Sequence, residues 1–456
     1  MAGQLSQRED MFHLIFRNSL AENEMKAYDQ PMLIEFSLSN FRSVLGRQTL
    51  SMVAASYDEM RAFNSFDSGL SGAMPRLLRS AVLYGPNASG KSTLIHALDF
   101  MQTLVLQSHG HQAGDKLQTT PFKLAVASRE DDSEFDITFV QEGVRYEYGF
   151  RCNRDRITEE WMLAYPQGRA QKWFHRVFDP NAGKDAYKFS ATFQGGRKRH
   201  VWASETLENT LFFSKAIQNK HEQLRPAFDW FRERLRVVSA PHALGAGYTV
   251  KRCANEGDRQ RIVDFMNAAD LCIADIRLYE EVFSSEQLPK DLPSVIREEI
   301  SKELNGKKVT TPKFVHTNVE TNESIEFDEE EESNGTRALF AFAGPWLDVT
   351  ENERVLVVDE LDASLHPMLV HHLVKRLHHE GTKAQLIFTT HDTTLLSQRI
   401  LRRDQVWFME KDQQHASRLY PLSDFSPREQ EAIERGYLNG RYGGIPFLKD
   451  LDFYGD

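Results

Sequence analysis

The chain has 456 residues, enough for two or three domains or lobes, and its 41% hydrophobic and 27% charged residues are ordinary for a soluble globular protein. A net charge of −11 gives no general reason to expect a nucleic-acid partner, although a local basic patch is compatible with it. Cys152, Cys253 and Cys272 lie far apart and form no C-x-x-C, which argues against a zinc site or a disulfide framework and fits a reducing cytosol.

Residues 1–31 read as a polar, partly helical N-terminal extension without the apolar core of a signal peptide. Its one apolar patch, residues 11–16, is expected to dock on the body or on a neighbour. No run of about 18 apolar residues occurs, so no membrane span is expected and the location is read as cytoplasmic. Residues 33–38 alternate as a strand and lead into Asn40-Phe41-Arg42-Ser43. Residues 48–54 read as a second strand, and residues 81–84 as a short buried one.

Residues 121–205 read as β-rich. The clearest signal is a hairpin, with residues 135–140 and 144–150 joined through Glu142-Gly143. Residues 195–200 form a basic turn, read as a solvated hairpin loop with DNA contact as the alternative. Residues 211–219 read as a strand-like run ending near Gln218. Residues 224–235, 259–269 and 292–304 have helical apolar spacing, and no heptad is sustained, so no long coiled coil is expected. Residues 328–332 are an acidic run, read as a solvated turn. From residue 333 the pattern is α/β: helices over 335–347 and 367–379, and buried strands over 355–358 and 384–389. The expected organisation is an extension (1–31), a first lobe with a β-rich insertion (32–220), a helical lobe (221–312) and a second α/β lobe (313–456).

The chemistry centres on Gly85-Pro86-Asn87-Ala88-Ser89-Gly90-Lys91-Ser92, which reads G-x-x-x-x-G-K-S between a buried strand and an apolar-periodic helix. Gly85 and Gly90 permit backbone angles that let successive N–H groups converge on phosphate oxygens. The following helix adds its positive N-terminal end. Lys91 reaches the outer phosphates, and the Ser92 hydroxyl ligates Mg²⁺. Thr93 is taken with the loop as nucleotide-binding. Four apolar residues, 355–358, end in Asp359-Glu360, as in a Walker B strand. Asp359 can hold Mg²⁺ through its water shell, and Glu360 can polarise the attacking water as general base. The next strand ends at His391, which can hydrogen-bond a terminal phosphate. Ser333, Gly335 and Thr336 open a helix and form an anion site that a second subunit's phosphate loop would use.

This set of residues resembles the ABC-class ATPases of the SMC, RecF and OLD type. The resemblance makes Ser333–Thr336 a signature loop departing from L-S-G-G-Q, residues 361–366 the D-loop, and His391 the switch histidine. It also makes Asn40, Arg42 and Ser43 a strand-end motif whose arginine approaches the nucleotide, and Gln218 the candidate Q-loop residue that ligates Mg²⁺. Residues 401–408 and 436–446 look more like a compact prokaryotic subgroup, the AAA-type ATP-binding proteins associated with abortive infection and other phage-defence operons. The resemblance implies an ABC-type α/β ATPase head with a mixed P-loop sheet, a β-rich subdomain and a helical lobe. It implies ATP and Mg²⁺ as ligands, a homodimer or higher homo-oligomer with composite ATP sites, and a separately encoded effector. The alternative is a RecF- or SMC-like ATPase of DNA maintenance. An OLD-type nuclease is disfavoured, because Asp450 and Asp452 close the chain with no sheet after them, and a GTPase is disfavoured because Asn219-Lys220-His221-Glu222 only approaches N-K-x-D.

Overall fold

A computed structural model describes residues 31–70, 74, 76–240, 244–283, 298, 306–363, 365–378, 382–397, 400–427 and 432–445. The apolar patch at 11–16, the helix expected over 292–304, and Asp450 and Asp452 lie outside the described residues. Two units are distinguished. One holds the described residues up to Ser239, Asn352–Leu361 and those from His371 on; the other holds Ala240–Glu351 and Asp362–Val370.

In chain order the elements are β1 (Met32–Ser39), β2 (Gln48–Ser51), β3 (Ser65–Asp67), β4 (Arg76–Leu78), β5 (Ser80–Tyr84) and α1 (Lys91–Gln107). Five strands follow: β6 (Ser133–Gln141), β7 (Val144–Cys152), β8 (Ile157–Tyr165), β9 (Gln171–Asp179) and β10 (Lys184–Phe189). Next come α2 (Phe212–Gln218), β11 (Leu235–Val238), α3 (Gly247–Cys253), α4 (Glu256–Asn267), β12 (Asp275–Val282), β13 (Lys308–Thr317), β14 (Ser324–Asp328) and α5 (Asn334–Glu351). The chain ends with β15 (Val355–Val358), α6 (Pro367–Leu377), β16 (Gln385–Thr389), β17 (Val406–Lys411), β18 (Ser417–Pro421) and α7 (Ile433–Leu438).

The first unit contains two main sheets. One is mixed, in the order β11-β15-β16-β5-β17-β18. Its first five strands run parallel and β18 is antiparallel to β17. Strands β5, β15 and β16 are buried at every residue, which is why apolar residues dominate them. The other sheet is antiparallel, in the order β10-β9-β8-β7-β6-β1-β2. The β6–β7 turn has positive φ at Glu142 (51°) and Gly143 (69°), the two-residue hairpin geometry that matches strand twist. Leu94, Leu98, Met101 and Val105 of α1 join one core with Phe36, Phe135, Phe150 and Val357 from the two sheets. Gln385 on β16 ties the sheets together: its Oε1 accepts the Leu33 N–H at 2.7 Å and its Nε2 donates to Leu33 O at 3.0 Å and Leu78 O at 3.1 Å. The main-chain groups of Leu33 are satisfied in this way by a side chain, beyond the reach of β2, which pairs Glu35–Leu38.

In the second unit, α5 packs on α3 and α4, beside a three-stranded sheet in the order β12-β13-β14. Pro345 inside α5 has no N–H to give Ala341 O; the Thr249 hydroxyl donates to that carbonyl instead, at 3.0 Å. Gly344 admits this contact, since a Cβ there would stand 2.6 Å from Thr249 Oγ1.

Three local expectations are corrected. Residues 211–219 are a helix, α2, not a strand. Glu160 on β8, fully buried, accepts the first N–H groups of α2 from Phe212 at 2.7 Å and Phe213 at 3.0 Å, while Phe212, Phe213, Ala216 and Ile217 fill the core. Residues 224–235 are helical only to Arg234, and Leu235–Val238 is instead the edge strand β11, paired with β15. The basic stretch at 195–200 is not a hairpin loop. A helix begins at Lys198, and Arg199 is committed to Phe193 O at 2.7 Å and Ser190 O at 3.1 Å.

Candidate functional site

The phosphate loop leaves β5 at Tyr84 and enters α1 at Lys91. Its backbone has positive φ at Gly85 (156°), Ala88 (63°) and Gly90 (111°). The glycines are required by close approach as well: a Cβ on Gly85 would sit 2.2 Å from Met409 O, and one on Gly90 would sit 2.2 Å from Ser417 Oγ. The first turn of α1 contains no acid, and no side chain caps it. Its leading N–H groups and positive end are therefore left for an anion.

Lys91 is 6% exposed, and its Nζ donates to Gly85 O at 2.7 Å and Pro86 O at 3.2 Å. The ammonium is thus folded over its own loop. Ser89 Oγ is buried and has no hydrogen-bond partner among the described residues. A cleft of about 410 Å³ opens here, lined by residues 87–93, Ser43, Glu360 and His391.

The acids come from the end of β15. Asp359 is 6% exposed, and the Thr389 hydroxyl donates to its Oδ1 at 2.6 Å. The same hydroxyl accepts the Glu360 N–H at 2.7 Å, and Leu361 N–H reaches Thr389 O at 3.0 Å. These bonds hold Glu360 at a φ of 49°, a left-handed conformation uncommon for a residue with a side chain, and the exposed carboxyl lines the cleft. His391 lines the cleft one strand over. Its loop is tied to the phosphate-loop strand by Tyr84 OH, which donates to Asp392 O at 3.0 Å.

His96 stands one turn beyond Ser92 on α1. Burial pushes its pKa down, and the Arg42 cation adds to the effect.

The donor set fits a nucleotide with a divalent cation. The glycine cradle, the unpartnered Ser89 Oγ and the acid-free helix start suit phosphate. The Ser92 hydroxyl and the Asp359 carboxylate suit Mg²⁺, because Thr389 occupies one carboxylate oxygen and leaves the other.

Several expected residues are not brought to this cleft. Asn40 is 5% exposed, but its Nδ2 donates to Ser128 O and Asp131 O, both at 2.8 Å, and its Oδ1 accepts the Phe122 N–H at 3.0 Å. It clamps the loop before β6. Gln218 is exposed at the end of α2, with Lys215 Nζ 3.4 Å from its Oε1, and does not line the cleft; the expectation that it ligates Mg²⁺ rested on the strand reading corrected above. Arg42 is exposed and does not line the cleft. Ser333, Gly335 and Thr336, expected to serve a second subunit's phosphate loop, lie in the second unit. There Ser333 Oγ accepts the Thr336 N–H at 3.0 Å and caps α5, Thr336 is buried, and Gly335 is exposed.

Three residues escaped the sequence reading. Thr389 was legible in principle, as a hydroxyl closing the strand beside the two acids. Ser417 on β18 carried no motif. Ser239 leaves the sheet just after β11, where Asp359 N–H bonds Val238 O at 3.0 Å, and its Oγ lies 3.2 Å from Asp99 Oδ2; the helical reading of this stretch hid it.

A parallel sheet whose C-terminal edge joins a phosphate loop, a paired acid and a histidine is the arrangement of a P-loop nucleotide-binding domain. The chain belongs to the family described as "AAA domain, putative AbiEii toxin, Type IV TA system", whose model matches residues 80–397. Among solved structures it is similar to the SMC head domain from Thermotoga maritima, at 12% identity and a TM-score of 0.37, covering 85% of this chain and 98% of that one. It is also similar to the recombination mediator protein RecF of the RecFOR pathway, at 14% identity and a TM-score of 0.35, covering 86% and 98%. The assignment rests on the sheet order, the cleft and the family match, not on these low TM-scores. No curated protein matches the chain. Among the described residues, no helix is long and apolar enough to cross a membrane.

Proposed function

We propose that the protein is an ATP-hydrolysing dimerisation switch. The observation that carries this reading is the shared cleft, in which the Glu360 carboxyl, turned by the Thr389 hydrogen bond, and His391 line the same space as Lys91 and Ser92. In this reading the loop N–H groups and Lys91 hold the outer phosphates of ATP. Ser92 and Asp359 hold Mg²⁺, which when bound neutralises phosphate charge. Glu360 accepts the proton of the attacking water, and His391 donates to the terminal phosphate. Ser43 and Thr93 line the nucleotide's binding surface.

Two protomers close head-to-tail, and Ser333, Gly335 and Thr336 of each complete the site of the other. The α5 N-terminus suits that task through its positive end and the exposure of Gly335. Hydrolysis reopens the dimer and alters what a separately encoded effector can bind. The family description, which names a toxin of a type IV toxin–antitoxin system, supports an abortive-infection setting for this switch.

Mass photometry of the wild type and Glu360→Gln, with and without ATP and Mg²⁺, tests the switch. An ATP-dependent doubling of mass in the variant is expected. A mass that stays unchanged while ATP is bound would remove dimerisation from the account.

A further inference from the structure

The hairpin β17–β18 lies beyond the residues that the family model matches, and it is built directly against the phosphate loop. Both motif glycines abut it: Gly85 meets Met409 O, and Gly90 meets Ser417 Oγ. Ser417 is 1% exposed and sits at a junction of hydrogen bonds. Its N–H donates to Ser43 O at 2.8 Å. Its Oγ lies 2.6 Å from Ser89 O and 2.9 Å from Ser43 Oγ, which is in turn 2.9 Å from Thr93 Oγ1. Lys411, directly across the hairpin, donates from Nζ to Ser417 Oγ at 3.0 Å.

The geometry of one peptide unit makes this junction consequential. The Ser89–Gly90 peptide is trans and planar, so its carbonyl and its N–H point to opposite sides. Ser417 fixes the carbonyl from behind the loop. The Gly90 N–H is thereby aimed away from the hairpin, toward the cleft that Gly90 lines. Lys411 supplies a charge-assisted bond to the hydroxyl that does the fixing.

We propose that Ser417 and Lys411 are positioning residues of the ATP site: from the C-terminal hairpin they hold the Ser89–Gly90 peptide in the orientation that presents its N–H to phosphate. The proposal rests on the reading of the cleft as an ATP site. A loop without this brace must find the orientation on binding, so the cost falls on affinity and not on the chemical step.

The test measures KM and kcat for ATP, the affinity for a fluorescent ATP analogue, and thermal unfolding, all on the full chain. Ser417→Ala is expected to raise KM and weaken analogue binding about tenfold, the loss of roughly one hydrogen bond, with kcat within about twofold. Lys411→Met is expected to shift both in the same direction, and Lys411→Arg to restore them. Lys411→Met serves where Ser417→Ala fails to fold. KM and analogue affinity within about twofold of wild type in both variants would overturn the proposal. So would an equal fall of kcat and affinity that tracks a lowered unfolding temperature and is not rescued by arginine. Failure of the wild type to bind the analogue would instead overturn the ATP-site reading itself, and this inference with it.

Discussion

The Thr389 hydroxyl lies 2.6 Å from Oδ1 of Asp359, and through this bond the last residue of one buried strand sets the position of the acid that ends the next. Because the same oxygen accepts the Glu360 N–H, one hydroxyl orients both carboxylates. Thr389→Val keeps the shape of a fully buried side chain and puts a methyl group in place of that hydroxyl. Phosphate release is expected to fall on the order of ten- to a hundredfold, with nucleotide affinity changed less, because Glu360 loses the bond that holds its strained backbone. Stopped-flow phosphate release beside a fluorescent-nucleotide titration separates the two effects.

Lys91→Ala removes the ammonium that now rests on the Gly85 and Pro86 carbonyls and that is the nearest cation of the loop itself. Nucleotide affinity is expected to fall by about a hundredfold or more, as for the loss of a charge-assisted contact in a partly desolvated site. The fold is expected to survive, as read by circular dichroism.

Asn40→Ala is expected to act on stability. It deletes a buried amide that satisfies main-chain groups around 122–132, and the loss should be roughly 2–4 kcal/mol by urea unfolding. Intact stability with lost nucleotide binding would return Asn40 to the site.

His378 gives a pH-dependent prediction. Burial, with the Arg79 cation adding to it, pushes its pKa down to about 3, while an unfolded histidine titrates near about 6.5. Between those values the unfolded chain carries the extra proton, so His378 makes stability fall as pH drops through this window, by up to about 1.4 kcal/mol per pH unit. Asp136, raised to about 6 by burial, works in the opposite direction below that pH. Only the difference between wild type and His378→Gln isolates the histidine. Glutamine can still face Ser80 and Gln405, and the variant should lose stability less steeply on acidification. Urea midpoints at a series of pH values between 4 and 6.5 provide the check, with equal slopes counting against it.

The α/β core was legible because its strands are dominated by apolar residues and its loop must carry glycine. Val355–Val358, the strand ending at Thr389 and the loop from Gly85 to Ser92 fall where their patterns put them. What misled the reading was tertiary context. Residues 211–219 looked strand-like because Leu211, Phe212 and Phe213 run together, and the helix Phe212–Gln218 is set by remote partners such as Glu160. The strand Leu235–Val238 is four residues long, too short to stand out from the helical spacing before it. Asn40 looked like a ligand because its motif adjoins Ser43, which does line the cleft, whereas its own amide turns to backbone more than 80 residues away, as at Ser128. Ser417 touches the phosphate loop only because β17 runs parallel to β5, a pairing that no local pattern encodes.

The most direct test of the account is phosphate release by Glu360→Gln, measured with ATP binding on the same preparation. Glutamine keeps the size of the side chain and the Thr389 bond to the backbone, and removes the base. The account predicts that the variant binds ATP as tightly as the wild type or more so, while phosphate release falls by about a hundredfold or more. Undiminished phosphate release by a variant that binds ATP normally would contradict it.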